Sequence, residues 1–198
     1  YASAPAAQMV AVTNTGNSSV TLNTLTITKF DITALDALTL IPAATARFNI
    51  QPKTELTVGT YNETITFSTT SGTSDTVAVT FTVNAAPTYT ATIDPASKTF
   101  MAATAGYGAQ TAQEFTIQNT GTGAISGLSA SLGGSDFEIS TALSGTGIAS
   151  GSSVTVSVRP KTGLAVSTYT DTLTVTGNNG ISLTAGLSFT VNAAPTYT

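Results

Sequence analysis

Apolar residues recur at every second position in short runs along the chain, the spacing that turns one face of a pleated strand to a core and the other to solvent. Val10 and Val12 sit this way in AQMVAVTNTG, and Phe115 and Ile117 take the same places in AQEFTIQNTG. Ile65 and Phe67 alternate in a later run, Leu173 and Val175 in another. Ile181, Leu183, Ala185, Leu187, Phe189 and Val191 hold phase together, matched earlier by Val77, Val79, Phe81 and Val83. Asn14-Thr15-Gly16 and Asn119-Thr120-Gly121 close their strands with residues that tolerate left-handed backbone, and Gly177-Asn178-Asn179-Gly180 signals a tight hairpin. Short strands with a turn every ten or so residues predict an all-β sandwich of two antiparallel sheets.

The pattern is written twice. FTVNAAPTYT starts at Phe81 and again at Phe189, an offset of 108 residues, which is the length of a small domain rather than of a solenoid repeat. The expected organisation is one module over 1–86, a second over 87–194, and the opening of a third at 195–198. SVTLNTLTITKFDI and AISGLSASLGGSDFEI read as third and fourth strands, with Phe30 and Ile32 answering Phe137 and Ile139. The next strand ends at Pro52 or Pro160, since proline cannot donate to a ladder. Asn14 and Lys53 are 39 residues apart and Asn119 and Lys161 are 42 apart, so the extra residues fall in a Gly- and Ser-rich loop. TYTATIDPASKTF supplies the first strand of module two. Module one has no counterpart to residues 88–100, and Tyr1 falls inside folded sequence, as expected of a piece of a longer protein. The Asn84-Ala85-Ala86-Pro87 link leaves little slack, so the array is expected to behave as a semi-rigid rod.

Composition narrows the chemistry. The chain has no Cys and no His, which removes the commonest metal ligands, thiol nucleophiles and the usual general base. Charged residues make up 8% and Thr, Ser, Gly and Ala dominate, a β-favouring composition that resembles extracellular bacterial surface proteins. A net charge of −4 with six scattered basic residues gives no footprint for nucleic acid, and no apolar run is long enough to span a bilayer.

At AQEFTIQNTG, RPKTGLAVSTYTDTLTV and NGISLTAGLSFTVN the chain resembles the tandem immunoglobulin-like repeats of large secreted and wall-attached proteins of Gram-positive and other anaerobic bacteria. It is more loosely similar to the sandwich domains with an Asn-Thr-Gly turn that include major sperm protein-like and hydin-like modules. The resemblance covers essentially all of module two and most of module one, which reads PKTEL where module two reads PKTGL. It implies two tandem immunoglobulin-like β-sandwiches of about seven antiparallel strands, the first lacking its N-terminal strand. It also implies an extracellular, surface or secreted setting and a role in stalks, spacers or adhesive tips. Tyr61 and Tyr169, after a Leu-containing corner, resemble the tyrosine corner of such sandwiches, whose hydroxyl returns to nearby backbone.

Several residues invite a chemical role. Glu63 and Asp171 hold equivalent places two residues after the corner tyrosines, in phase with the core face. Their ordinary role is a rim carboxylate that meets solvent or accepts backbone hydrogen bonds. The sharper role is promotion of an isopeptide bond between Lys98 and Asn192, as in some Gram-positive surface modules. Asp31, Asp36, Asp136 and Glu138 are candidate calcium ligands but form no closely spaced acidic loop, so solvated positions are expected. Tyr1, Tyr89, Tyr107 and Tyr197 lie near module ends, as a sugar-stacking platform or, more simply, as junction packing. Asn17-Ser18-Ser19 and Asn62-Glu63-Thr64 match the N-glycosylation pattern without further support. Ser and Thr abound without a histidine base, so no enzyme, cofactor or metal is expected. The leading expectation is a structural stalk or spacer whose partners are neighbouring repeats of its own chain. Alternatives are an adhesin or carbohydrate-binding module using loops such as 141–153, and assembly by strand donation. In the last, the open edge of module one accepts a strand and the tail Pro195, Thr196, Tyr197, Thr198 donates one.

Overall fold

The computed structural model describes residues 3–197, in two compact units, Tyr1–Ala86 and Pro87–Thr198. Every element is a strand. The short alternating runs and β-branched residues leave each strand one apolar face, and each unit buries that face between sheets.

In the first unit, β1 (Gln8–Thr13), β5 (Thr45–Pro52) and β3 (Phe30–Ile32) form one antiparallel sheet in the order β1-β5-β3. β6 (Gly59–Ser68) and β7 (Ser74–Val83) form a ten-rung hairpin that makes the second. Short β2 (Val20–Thr21) and β4 (Thr39–Leu40) pair with each other. The core divides into a cluster of Phe30, Phe48, Ile50, Ile65 and Phe67 and a smaller one of Leu22, Leu40 and Ala46.

The expected third strand of this unit is not formed. Residues 23–29 carry no strand, and Leu25 and Ile27 reach the core from extended backbone. The backbone is tied elsewhere: Asn23 N donates to the Ser68 carbonyl (2.8 Å), and the N–H groups of Thr28 and Lys29 go to the Glu63 carboxylate. Among the described residues the β13–β17 pairing of the second unit has no counterpart along β6.

The second unit is a complete sandwich. One sheet has the order β14 (Phe137–Thr141), β16 (Ser153–Pro160), β11 (Gln113–Asn119), β8 (Ala91–Asp94), all antiparallel. The other runs β13 (Ser129–Leu132), β17 (Ser167–Thr176), β18 (Ser182–Asn192), with β9 (Ser97–Thr99) and β10 (Ala103–Thr104) added along the far edge of β18. β12 (Ile125–Ser126) and β15 (Gly147–Ile148) pair across one end. Both sheets feed one continuous core that includes Phe100, Phe115, Phe137, Val156, Leu173, Leu187 and Phe189. This is the strand order of an immunoglobulin-like sandwich. Among its described residues the first unit repeats it without counterparts of β8, β9, β10 and β13.

Two details differ from the sequence reading. The first strand of the second unit is divided between the sheets: β8 lies on β11, the chain crosses at a cis Asp94–Pro95 bond, and β9 and β10 lie on β18. Those last contacts are parallel rather than antiparallel, because the chain continues in one direction as it crosses and β18 runs the same way. The loop 141–153 also contains β15, whose Ile148 is buried in the core.

Candidate functional site

The asparagine of each Asn-Thr-Gly turn closes its strand in phase with the core residues before it, Val12 then Asn14, Ile117 then Asn119. Both side chains are buried. Asn119 Nδ2 donates to the carbonyls of Gly123 (2.9 Å) and Ile148 (3.0 Å), and its Oδ1 accepts from Gly121 N (2.9 Å). Asn14 does the same with Ser18 (2.8 Å), Leu40 (2.9 Å) and Gly16 N (3.0 Å). One amide therefore fastens the turn to the strand across the end of the sandwich. No residue of either turn takes a positive φ, so the motif owes its residues to these bonds rather than to left-handed backbone. The period-two phase, which puts a polar residue at a core position, was the available signal.

Gly121 has a second reason. A methyl group there would stand 2.3 Å from the Thr88 carbonyl oxygen, because Thr88–Thr90 is laid against the turn. Thr120 N (2.9 Å) and Gly121 N (3.1 Å) donate to the Thr90 carbonyl, and Gly123 N donates to the Thr88 carbonyl (2.9 Å). The Tyr89 ring covers Gly123.

The equivalent acids brace backbone. Glu63 accepts from Thr28 N, Thr28 Oγ1 and Lys29 N. Burial alone would raise its carboxyl, but those hydrogen bonds and the nearby Lys29 charge hold it below its ordinary value of 4.5. Asp171 Oδ1 accepts from Gly134 N (2.8 Å) and Thr172 N (2.7 Å), while Oδ2 is buried without a hydrogen bond among the described residues. Asp171, Leu187 and Lys98 form one row across β17, β18 and β9. Asn192 instead lies opposite Thr104, about 17 Å further along β18 at ~3.4 Å per residue, so the register keeps it away from Lys98 and Asp171.

Tyr61 Oη donates to the Thr57 carbonyl (2.8 Å) and Tyr169 Oη to the Ala165 carbonyl (3.0 Å), each four residues back at the start of β6 or β17. Tyr107 packs edge-on against Phe189, ring centres 5.2 Å apart, and donates to the Lys161 carbonyl (2.6 Å), so its ring belongs to its own unit's core. Pro195, Thr196 and Tyr197 form no strand, and Tyr197 is 94% exposed; Tyr1 and Thr198 lie outside the described residues. Among the candidate calcium ligands, Asp36 accepts from Arg47 N (2.7 Å) and Glu138 pairs with Arg159 across β14 and β16 (2.7 Å). Among the described residues no three Asp, Glu, His or Cys come together as a metal would need, and no helix is long and apolar enough to cross a membrane.

Among the described residues β1 and β7 end their sheets in the first unit, whereas β11 and β18 of the second are covered by β8, β9 and β10. Two cavities lie beside these edges. One of about 340 Å³ is lined by Val12, Asn14, Gly16, Leu40 and Phe67 among others. One of about 230 Å³ lies between Pro5, Ala6 and Gln8 on one side and Phe30, Ile50 and the Ala78–Phe81 stretch of β7 on the other.

No family model and no curated protein matches the chain. Among solved structures it is similar to a protein of unknown function from Porphyromonas gingivalis W83, with 14% identity and a TM-score of 0.42 over 92% of this chain and 90% of that one. It is also similar to a PapD-like domain of human CEP192, with 15% identity and a TM-score of 0.42 over 53% of this chain and 87% of that one. A third is the protocadherin gamma B7 extracellular region, with 11% identity and a TM-score of 0.44 over 95% of this chain and 46% of that one.

Proposed function

We propose that the chain is a non-catalytic, load-bearing spacer of an extracellular surface or secreted protein, its sandwiches joined in series with neighbouring repeats. One observation carries this reading. In the second unit the first and last strands are parallel neighbours: β9 and β10 lie on β18, reinforced by Gly186 N to the Ala96 carbonyl (3.0 Å), Phe100 N to the Ser188 carbonyl (2.8 Å) and Ala105 N to the Asn192 carbonyl (2.9 Å). Tension applied at the two ends of this unit pulls parallel strands in opposite directions along their length. All those bonds then take load together instead of opening one at a time. The low charge and the satisfied polar side chains at the ends of the sandwich support the same reading, as does the sequence resemblance to bacterial surface repeats.

Single-molecule stretching tests it. The second unit is expected to open in one step, releasing on the order of 300 Å of chain at about 3.6 Å per residue. That step should need more force than the first unit, where among the described residues no strand lies parallel on β7 as β9 and β10 lie on β18. Lys98→Pro, which removes an N–H from β9, should lower the force without abolishing the fold. Equal low forces for both units would overturn the reading.

A further inference from the structure

Residues 23–29 are fastened to the β6 hairpin at both ends in one register and leave it in between. At one end Asn23 N donates to the Ser68 carbonyl (2.8 Å), its Nδ2 to Ser68 Oγ (2.9 Å), and Leu22 bridges to Thr69. At the other, Thr28 N donates to the Glu63 carboxylate (3.2 Å). Asn23 to Thr28 and Ser68 to Glu63 are steps of equal length, so the two fastenings belong to a single antiparallel register. The second unit shows that register complete: Ser129 to Leu132 pair with Thr176 to Leu173, and Gly134 N donates to Asp171 Oδ1 (2.8 Å).

The side chains explain why the first unit does not complete it. In that register Thr24 and Thr26 take the places of Ala130 and Leu132, which pack against the core, and Leu25 takes that of the exposed Ser131. Regular pairing would turn Leu25 and Ile27 to solvent and two threonines inward, because a slip of one residue exchanges the faces of a strand. Instead Leu25 and Ile27 pack against the core, Thr24 and Thr26 are exposed, and the ladder is given up. A cavity of about 250 Å³ lies between Thr26–Thr28 and Glu63–Thr64. The backbone groups of Thr64 and Thr66 face this side, in step with the Ser68 carbonyl, and no described strand pairs with them there.

We propose that segment 23–29 is a register switch. It exchanges between this detached form and a strand paired with β6 one residue out of step with the Asn23 fastening. A bulge at Asn23–Thr24, two residues against one, absorbs the step and leaves the bond from Asn23 to Ser68 in place. Leu25 then stands opposite Phe67 and Ile27 opposite Ile65, on the core face. Thr28 N goes to the Thr64 carbonyl, as Gly133 N goes to that of Thr172 (3.1 Å) in the second unit. Lys29 stands opposite Glu63, as Gly134 does opposite Asp171. That contact is already made: Lys29 N donates to Glu63 (3.0 Å) beside Thr28 N, so one carboxylate serves both registers. The far end need not move either, because the Lys29 carbonyl accepts from Lys53 N (3.0 Å) and Phe30 is paired with Pro52. The detached form leaves the Thr64–Thr66 edge of β6 open; the paired form closes it.

The test uses the whole chain with Thr24 deleted, which removes the residue that the bulge must absorb. Leu25, Ile27 and Lys29 then fall in step with the Asn23 fastening without a slip. Amide exchange at Thr64 and Thr66 is expected to slow by about tenfold or more as their edge is covered, and the first unit to unfold at higher urea. A second variant keeps the length and exchanges the pattern: Thr24→Leu, Leu25→Thr, Thr26→Ile and Ile27→Thr together, with the same slowing expected. In the unchanged chain, relaxation dispersion at 25–28 and 64–66 should report exchange on the microsecond-to-millisecond scale. Amide exchange at Thr64 and Thr66 that is no slower in both variants would overturn the proposal. So would a single set of signals without dispersion at those residues in the unchanged chain.

Discussion

Asn119 reaches across the end of the second sandwich to the carbonyl of Ile148, 29 residues away, at 3.0 Å, and does so with no exposure to solvent. The same amide holds Gly123 and receives Gly121, so truncating it strands two carbonyls in a dry place and leaves the Gly121 N–H only the Thr90 carbonyl. Asn119→Ala is expected to destabilise the second unit by about 2–4 kcal/mol, more than one hydrogen bond because unpaired buried groups keep their desolvation cost. Asn119→Asp is expected to be worse, since a carboxylate turns its oxygens on two carbonyls. Urea unfolding of the whole chain measures both, and a loss under ~1 kcal/mol for Asn119→Ala would remove the brace from the account.

Glu63 gives the first unit a pH dependence. Its folded carboxyl is held below the ordinary 4.5, so the stability it contributes is fully present above that value and is lost as pH falls through the lower folded value. The first unit is therefore expected to unfold at progressively lower urea as pH drops below about 4.5. Glu63→Gln should flatten that fall while lowering stability at neutral pH, because an amide accepts fewer of the Thr28 and Lys29 donors. Parallel acid profiles for the two proteins would show that other carboxylates govern it.

The architecture was legible because Phe115 and Ile117, or Leu173 and Val175, keep strict phase, and because the duplication fixes the length of a unit. The parts that were not legible depend on partners far off in sequence. Nothing local in TATIDPASKT says that β8 and β9 belong to different sheets. The pattern TLTIT predicts a strand at residues 23–29, yet none forms there, and Thr28 and Lys29 at its end turn their N–H groups to Glu63, 34 residues on from Lys29. The acids and asparagines were visible as polar residues in core phase, but what they hold is set by chain reversals whose geometry no single run contains.

The two Asn-Thr-Gly turns should respond differently to the same change. Gly121→Ala places a methyl 2.3 Å from the Thr88 carbonyl oxygen, so Thr88–Thr90 must move off the turn. Gly16→Ala meets only Asn14 Oδ1, at 3.3 Å. The expected losses are about 1–3 kcal/mol for the former, the range of overpacking, and less for the latter. Hydrogen exchange at Gly121 and Gly123 should also rise in Gly121→Ala, since their donors lose the Thr90 and Thr88 carbonyls. Equal losses at the two turns would mean that Thr88–Thr90 is not held as described.

Two loop positions of the first unit carry a strain that the second avoids. Ala43 and Glu55 adopt φ of 66° and 64°, and their counterparts at the repeat offset are Gly151 and Gly163, at 75° and 78°. The change from PKTGL to PKTEL is thus a side chain placed in left-handed backbone, which costs about 1–2 kcal/mol for an L-residue. Glycine relieves that strain but loses more backbone entropy on folding, by about 0.5–1 kcal/mol. The net expectation is that Ala43→Gly and Glu55→Gly each stabilise the first unit by roughly 0.5–1 kcal/mol, additively because the loops are distinct. Gly163→Glu should destabilise the second unit by a similar amount. Thermal unfolding resolves the sign, and a loss of stability in Glu55→Gly would mean that the glutamate side chain contributes more in its loop than the backbone strain costs.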